Sequence, residues 1–243
     1  MKWEIVHIDE TESTNKWVKV HKEDASLRVE RAGKDALCVV ADYQTAGRGC
    51  GTNRWESERG RNLLFSLLIR PHGLSANRQF HLSMAISLAI SETLGQHVGD
   101  VSIKWPNDIY WRDGKIAGIL IEHTLQGTLI KDSIIGVGLN VNQREFRSDA
   151  PNPVSLWQIS GQETNREELL GDILRHFDEL LADDVRSRYL SRLYRRKGYH
   201  PYADRQGAFM AEIADVEDDG HLLLNDDNGQ QRRYAFKEVS FVI

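Results

Sequence analysis

The sequence has little cysteine and no long apolar segment, and each shortage excludes a class of protein. Only two of its 243 residues are cysteines, Cys38 and Cys50, which is too few for a disulfide scaffold and suits a reducing compartment. The longest strongly apolar run, residues 63–69, is far shorter than the ~20 residues of a membrane-spanning helix. The first residues show no apolar stretch typical of a secretory signal. We therefore expect a cytoplasmic protein that is not embedded in a membrane.

A strong charge of either sign is lacking as well. The net charge is −5, from 31 basic and 36 acidic residues, and gives no indication of a general nucleic-acid binder. The nine histidines are scattered without the spacing of metal ligands, which disfavours a metalloenzyme. The length allows one large domain, or a large domain followed by a small one.

The pattern of apolar residues predicts a body of strands and helices. Strands are predicted at 3–8, 37–43, 63–70, 101–105 and 129–141, and Asp113-Gly114 predicts a hairpin turn between 109–112 and 115–122. A buried helix is predicted over 79–94. A second helix over 167–182 has an apolar face made of Leu169, Leu170, Ile173, Leu174, Phe177 and Leu181. Because strands and helices do not alternate strictly, we expect a mixed, partly antiparallel sheet.

The character of the chain changes near residue 198. Short alternating runs follow, broken by Asp-Asp-Gly at 218–220 and Asp-Asn-Gly at 227–229, and both triplets are typical of hairpin turns. We therefore predict a main domain over 1–197 and a small β-domain over 198–243 that packs against it.

A loop rich in glycine and arginine covers residues 44–61. Four glycines let its backbone approach a ligand closely, and four arginines suit a phosphate or a carboxylate. An ordinary solvated loop is an equally good interpretation from composition alone. A Walker loop is absent because its Gly-Lys-Ser/Thr ending is missing, and a dinucleotide fingerprint is absent because its third glycine is missing.

Two further segments carry polar groups that could serve a phosphate. In Lys104-Trp105-Pro106-Asn107-Asp108 the lysine suits a phosphate and the aspartate suits Mg²⁺, although an ordinary turn at the end of a strand explains the segment too. Lys115 precedes an apolar strand in which Gly118 leaves space on one face. Alone, Lys115 would be interpreted as a surface charge.

Together these segments resemble the biotin-protein ligase family. Its motifs occur here in the same order: Ser-Thr-Asn at 13–15, Gln-Thr-x-Gly-Arg-Gly at 44–49 with Trp55, Lys-Trp-Pro-Asn-Asp at 104–108, Lys-x-x-Gly-Ile-Leu-x-Glu at 115–122, and Gly-x-Gly-x-Asn at 136–140. The resemblance implies an α+β fold, in which a mixed, largely antiparallel sheet with flanking helices is similar to that of class II aminoacyl-tRNA synthetases. A small C-terminal SH3-like β-barrel would follow.

The resemblance also implies a reaction. In this family biotin and ATP, with Mg²⁺, form biotinyl-5'-AMP, and biotin then passes to a lysine of a biotin carboxyl carrier protein or domain. Catalytic roles fall on Lys115, Arg48 and Lys104. Contacts to biotin fall on Ser13, Thr14, Asn15, Gln44, Gly47, Arg48, Gly49, Cys50, Lys115 and Gly118. Contacts to the nucleotide fall on Asn53, Trp55, Lys104, Asn107 and Asn140, and Asp108 is a candidate ligand for Mg²⁺ or a guide for the incoming lysine.

Two departures from the family pattern lead to further expectations. Cys50 stands where the family usually has an arginine, so we expect a weaker hold on the adenylate, and the thiol could be sensitive to oxidation. Only 12 residues precede Ser13, and they have the pattern of a strand, whereas a helix-turn-helix needs about 25 residues. We therefore expect no DNA binding. A monomer and a homodimer remain equally open.

Two other functions compete with biotin ligation. A lipoate- or octanoate-protein ligase would share the fold but usually shows an Arg-Arg-x-Gly-Gly-Gly loop, which this sequence lacks. A non-catalytic sensor of biotin or nucleotide would be favoured by loss of Lys115 or Arg48, and both residues are present.

Overall fold

A seven-stranded mixed sheet forms the main body. The computed structural model describes residues 1–24, 36–51, 53–148 and 150–243. The strands are β1 (Trp3–Thr11), β2 (Ala36–Gln44), β3 (Leu63–Ile69), β4 (Val101–Lys104), β5 (Asp108–Trp111), β6 (Gly114–Gln126) and β7 (Leu129–Leu139). Their order is β1-β2-β3-β7-β6-β5-β4, with β1 parallel to β2 and every other pair antiparallel. The predicted α+β class and the largely antiparallel sheet are confirmed.

Helices cover both faces of this sheet. They are α1 (Thr14–His21), α2 (Phe80–Gly95), α3 (Leu156–Ser160), α4 (Arg166–Leu181) and α5 (Arg186–Ser191). On one face, α2 and α4 share a large apolar cluster with the strands; on the other, Val18 of α1 packs on Leu37, Val39, Leu68 and Ile134. Because both faces are covered, the central strands are continuous apolar runs rather than alternating ones. No helix in the described part of the chain has the length and apolar character that crossing a bilayer requires.

The two long helices differ in how they are buried. Twelve of the 16 residues of α2 are buried, so it lies inside the fold rather than on its surface. Helix α4 buries one face, as predicted, except that Leu180 is fully buried where Leu181 was expected. Leu180 follows Phe177 by three positions and thus continues the same face, while Leu181 packs at the margin of the cluster.

The hairpin between β5 and β6 turns one residue earlier than predicted. Trp111 pairs with Gly114, so the turn consists of Arg112 and Asp113, and Arg112 has the left-handed φ of 50°. Gly114 is already part of β6. A Cβ on Gly114 would lie 2.8 Å from Val154 Cγ1, so its role is to allow close packing rather than to form the turn.

A five-stranded antiparallel sheet completes the fold and fits an SH3-like domain. Its strands are β8 (His200–Asp204), β9 (Gly207–Val216), β10 (Leu222–Asp226), β11 (Gln231–Tyr234) and β12 (Ser240–Phe241), in the order β11-β10-β9-β8-β12. The predicted turns at 218–220 and 227–229 join β9 to β10 and β10 to β11. Its apolar side chains join the same cluster as those of the main sheet, and the indole of Trp105 donates to the carbonyl of Gly220 at 2.9 Å. The small sheet therefore packs on the main body.

Candidate active site

The loop rich in glycine and arginine folds as a short hairpin over the main sheet. The amide of Gly49 donates to the carbonyl of Asn53 at 2.8 Å, and the amide of Trp55 donates to the carbonyl of Gly47 at 3.0 Å. A Cβ on Gly47 would lie 2.8 Å from the Trp55 carbonyl oxygen, so glycine is needed for this pairing. The segment 47–55, called the hairpin loop below, carries Cys50 and Gly51 at its tip.

Glycines of β6 and β7 form the floor beneath the hairpin loop. Gly118 pairs with Gly138 across the two strands, and the indole of Trp55 lies on both. A Cβ on Gly118 would be 3.0 Å from the indole ring, and one on Gly138 would collide with it. Glycine therefore lets an aromatic ring lie flat on the sheet, and the space between floor and loop is a cavity. The cavity is lined by Ser13, Thr14, Asn15, Gln44, Arg48, Gly49, Cys50, Trp55, Asn107, Lys115, Gly118, Ile119, Leu120, Gly136, Val137 and Gly138.

One end of the cavity is polar and comes from the start of α1. Gln44 Oε1 accepts from the Thr14 amide at 2.7 Å and from the Thr14 hydroxyl at 3.1 Å. Asn15 Nδ2 donates to the Leu120 carbonyl at 3.2 Å. Ser13 is the N-cap of α1, but its buried side chain makes no capping hydrogen bond. The hydroxyl of Ser13 is therefore available to a bound molecule.

A residue that the sequence analysis missed completes this polar end. The hydroxyl of Ser66, in the middle of β3, donates to Asn15 Oδ1 at 2.6 Å and lies 2.7 Å from Thr14 Oγ1. Ser66 is fully buried. A serine inside the apolar run 63–69 was the available signal, because a buried hydroxyl requires a hydrogen-bond partner. Ser66 fixes the orientation of the two side chains that line the cavity.

Lys115 reaches the cavity because β6 is irregular there. The pairing of β5 with β6 shifts between Ile109 and Tyr110, and such a bulge redirects the side chain beside it. The ammonium of Lys115 lies 2.6 Å from Asp108 Oδ1 and 5.7 Å from the centre of the Trp55 ring. An aspartate from one strand therefore holds the lysine of the next in the wall of the cavity.

Cys50 lies in a setting that disfavours the thiolate. Asn107 Nδ2 donates to Cys50 Sγ at 3.0 Å. Burial, and then the carboxylate of Asp108, raise the pKa of the Cys50 thiol against the opposing effect of Lys115. Since the thiolate is the form that oxidants attack, the suggested sensitivity of Cys50 to oxidation is not favoured. Cys38 is buried in the apolar core at β2, and burial raises the pKa of its thiol.

Lys104 lies outside the cavity lining, against the second sheet. Its ammonium is 5.2 Å from the centre of the Tyr110 ring and 5.1 Å from that of Phe241 in β12. Burial lowers the pKa of Lys104, and the carboxylate of Asp108 acts in the opposite direction. The role predicted for Lys104 at the phosphates stays a prediction.

Four more of the predicted site residues are absent from the cavity lining, among them Asp108, which pairs with Lys115. Gly47 and Asn53 belong to the hairpin loop, where they make backbone pairs, and the Asn53 side chain is exposed. Asn140 is 2 % exposed, and its Nδ2 donates to the Val154 carbonyl at 3.1 Å. Among the described residues, Asn140 Oδ1 and the buried indole N–H of Trp55 have no hydrogen-bond partner. Their contacts to a nucleotide stay predictions.

One group of potential metal ligands lies away from the cavity. Glu217, Asp219 and His221 bring their ligand atoms within 4.8 Å of one another. The guanidinium of Arg233 already pairs with both carboxylates, at 2.5 Å and 2.8 Å. The group is therefore an ion-paired network of the second sheet, and the sequence analysis did not identify it because the three residues alternate with others in a turn.

Comparisons with known proteins agree with this geometry. The profile of the biotin/lipoate A/B protein ligase family matches residues 10–140, more than half of the chain. The Bifunctional ligase/repressor BirA of Bacillus subtilis is 30 % identical over 224 residues, which are 83 % of this chain and 65 % of the relative. The chain thus spans less than two thirds of that bifunctional relative.

A relative of similar length and a solved structure extend the match. The Biotin--[acetyl-CoA-carboxylase] ligase of Paracoccus denitrificans is 30 % identical over 209 residues, covering 79 % of this chain and 85 % of the relative. The structure of a biotin protein ligase from Aquifex aeolicus in complex with biotin and ATP superposes with a TM-score of 0.75 at 25 % identity, over 97 % of both chains. The resemblance predicted from the five motifs is confirmed, and the chain belongs to the biotin/lipoate A/B protein ligase family.

Proposed function

We propose that this protein is an ATP-dependent biotin–protein ligase. It would convert biotin and ATP to biotinyl-5'-AMP and pyrophosphate, and then join biotin to a lysine of a biotin carboxyl carrier protein or domain. The observation that carries the proposal is a single cavity with Arg48 and Lys115 beside a glycine floor and a polar end at Ser13 and Gln44. Membership of the family and the relatives named above support it.

The polar end suits the ureido ring of biotin. A ureido group has two N–H donors and one carbonyl acceptor, so it needs partners of both kinds. The free hydroxyl of Ser13 can donate or accept, and Gln44 retains its Nε2 donor because Oε1 is used by Thr14. Asn15 is held by Ser66 and the Leu120 carbonyl, so we assign it the task of shaping this end. The apolar ring and tail of biotin would lie on strand residues near Gly118, beside the Trp55 ring that covers this glycine.

In the first step, the carboxylate of biotin attacks the α-phosphorus of ATP. A bond forms between a carboxylate oxygen and that phosphorus, and the bond to pyrophosphate breaks. Two anions must come together and negative charge grows on the phosphate oxygens, so fixed cations dominate catalysis. Lys115, held by Asp108, and Arg48 in the hairpin loop supply these cations.

In the second step, the amine of the acceptor lysine attacks the acyl carbon of biotinyl-5'-AMP. An amide bond forms, the bond to AMP breaks, and the amine loses a proton. One oxygen of Asp108 forms an ion pair with Lys115, and its second oxygen would either guide the incoming lysine or hold Mg²⁺. A single carboxylate together with substrate phosphates is a usual environment for Mg²⁺, which would neutralise charge on the triphosphate.

The nucleotide would lie at the end of the cavity closed by the hairpin loop. The Trp55 ring lines the cavity and offers an aromatic face to adenine. Asn107 also lines the cavity. For Asn53, Lys104 and Asn140 we retain the predicted nucleotide role, which would require the nucleotide to extend beyond the cavity. We also retain the division into a main domain of residues 1–197 and a small domain of residues 198–243.

The test is biotin-dependent exchange of pyrophosphate into ATP, measured with Mg²⁺ for biotin, lipoate and octanoate. We expect exchange with biotin alone, and a loss of about 100-fold or more in Lys115→Ala, because a cation at the growing charge is removed. Lys131→Ala, which removes an exposed lysine of β7, is the matched control and should behave as wild type. Exchange only with lipoate or octanoate would assign the protein to that sister activity. No exchange with any acid, together with tight biotin binding, would favour a sensor.

A further inference from the structure

Lys237 of the second sheet reaches the tip of the hairpin loop. It lies in the turn between β11 and β12 and has a left-handed φ of 70°, which is uncommon for a residue other than glycine. Its ammonium touches Gly51 so closely that a Cβ on that glycine would collide with it. The ammonium also lies 5.6 Å from the centre of the Phe236 ring. An unfavourable backbone conformation is thus combined with a contact to the loop that closes the cavity.

The charges of Lys237 and Lys115 differ in their partners. Among the described residues, no carboxylate forms an ion pair with Lys237, whereas Lys115 is paired with Asp108. Cys50, the residue before Gly51, lines the cavity and feels the charges of both lysines. An unpaired cation beside a cavity is placed to bind an anionic ligand that enters the cavity.

Cys50, which precedes the glycine that Lys237 touches, is a position where this chain departs from the family pattern. The resemblance implies an arginine at this position, so with Cys50 the hairpin loop would bring one cation fewer to the cavity. We propose that Lys237 supplies this missing positive charge, and that it contacts the phosphates of the nucleotide from the second sheet. This inference rests on the proposed function, because it adds a residue to the same site. The sequence analysis predicts that the adenylate is held less tightly because of Cys50. We expect this weakening chiefly in a variant that has also lost Lys237.

The first experiment measures the binding of ATP and of biotin to the full chain by calorimetry, each without the other. In Lys237→Gly, which removes the cation and keeps a backbone that tolerates positive φ, affinity for ATP should fall roughly 10- to 100-fold. Affinity for biotin and the melting temperature should not fall. Lys237→Arg should retain ATP affinity. Arg205→Met, which removes an exposed cation from the turn between β8 and β9, should match wild type.

The second experiment is a rescue. Adding Cys50→Arg to Lys237→Gly should restore most of the ATP affinity and of the KM for ATP in biotin-dependent exchange. Unchanged ATP affinity in Lys237→Gly, an equal loss of biotin affinity, or a lack of rescue by Cys50→Arg would each overturn the inference. Because ATP binding is measured without turnover, a wild-type protein that binds ATP but shows no exchange would contradict the proposed function and leave this test intact.

Discussion

The floor and the roof of the cavity are built in different ways. The floor consists of glycines on β6 and β7. At its polar end, the buried side chains of Ser66 on β3 and Asn15 on α1 are hydrogen-bonded to each other. The roof is the hairpin loop, which is held by two backbone hydrogen bonds and by the bond from Asn107 to Cys50. It carries Arg48, which is exposed and makes no ion pair with any described residue. The floor is therefore fixed before a ligand arrives, whereas the roof gains its partners from the ligand.

This difference separates stability from catalysis. Segments with few buried contacts open at low free energy, and loops that bind ligands belong to this class. Substitutions in the roof should therefore change turnover and leave unfolding unaffected. Substitutions in the floor should change both turnover and unfolding. Substitutions of residues that only anchor the floor should change unfolding alone. Three variants test this division.

The largest effect is expected for the roof. Arg48→Ala should lower the rate of biotin-dependent adenylation by about 100-fold, because one cation at the growing negative charge is lost. Its melting temperature should equal that of wild type, since Arg48 makes no ion pair in the described structure. Arg54→Ala is the matched control, because Arg54 faces Arg48 across the hairpin and does not line the cavity. A lower melting temperature in Arg48→Ala would show that the roof also supports the fold.

An intermediate effect is expected for the floor. A Cβ on Gly136 would collide with the side-chain amide of Asn15, which its bonds to Ser66 and Leu120 prevent from moving away. Gly136→Ala should therefore lower biotin affinity by roughly 10- to 100-fold and destabilise the fold by about 1–3 kcal/mol.

Calorimetry with biotin and denaturation in urea would measure the two effects of Gly136→Ala. Gly171→Ala is the control, because a Cβ on this exposed glycine of α4 meets nothing within 4 Å. Wild-type affinity in Gly136→Ala would mean that Asn15 does not shape the biotin end. A loss of affinity without a loss of stability would remove the proposed difference between floor and roof.

The smallest effect on function is expected where the floor is anchored to α1. Asp132 on β7 is buried, and it accepts from Lys22 at 2.9 Å and from Arg70 at 3.1 Å. Asp132→Asn should lower the free energy of unfolding by about 1–3 kcal/mol at pH 7, because the remaining cations lose a charged acceptor. The KM for biotin should stay within about twofold, since the site's hydrogen bonds are unchanged.

The same variant has a pH signature. Burial acts to raise the pKa of Asp132, but the hydrogen bonds from Lys22 and Arg70 outweigh it, and the pKa is lowered. A carboxyl with a lowered pKa contributes stability above its unfolded value near 4, and this contribution is lost as the pH falls through its lower folded value. Stability measured from pH 7 to pH 2 should therefore fall less steeply in Asp132→Asn than in wild type. Parallel curves would contradict this assignment.

Much of the fold could be predicted from the sequence because its signals are local. The apolar run of β3 and the dense apolar spacing of α2 predicted the ends of these two elements to within a residue or two. Helices α3 and α5, with five and six residues, are too short to show a periodic pattern and were not predicted. The turn before β6 was placed one residue late, because Gly114 serves packing against Val154, a contact that local sequence does not reveal.

The sequence by itself determined the fold class, the family and most of the residues that line the cavity. Only the tertiary structure decided how these residues meet. The bulge that directs Lys115 into the wall depends on how two strands pair, and Ser66 acquires its role because β3 runs beneath α1. Lys104 faces Phe241, and Lys237 touches Gly51, because the second sheet packs on the first. Contacts between residues so far apart in the chain arise from packing, and no local pattern encodes them.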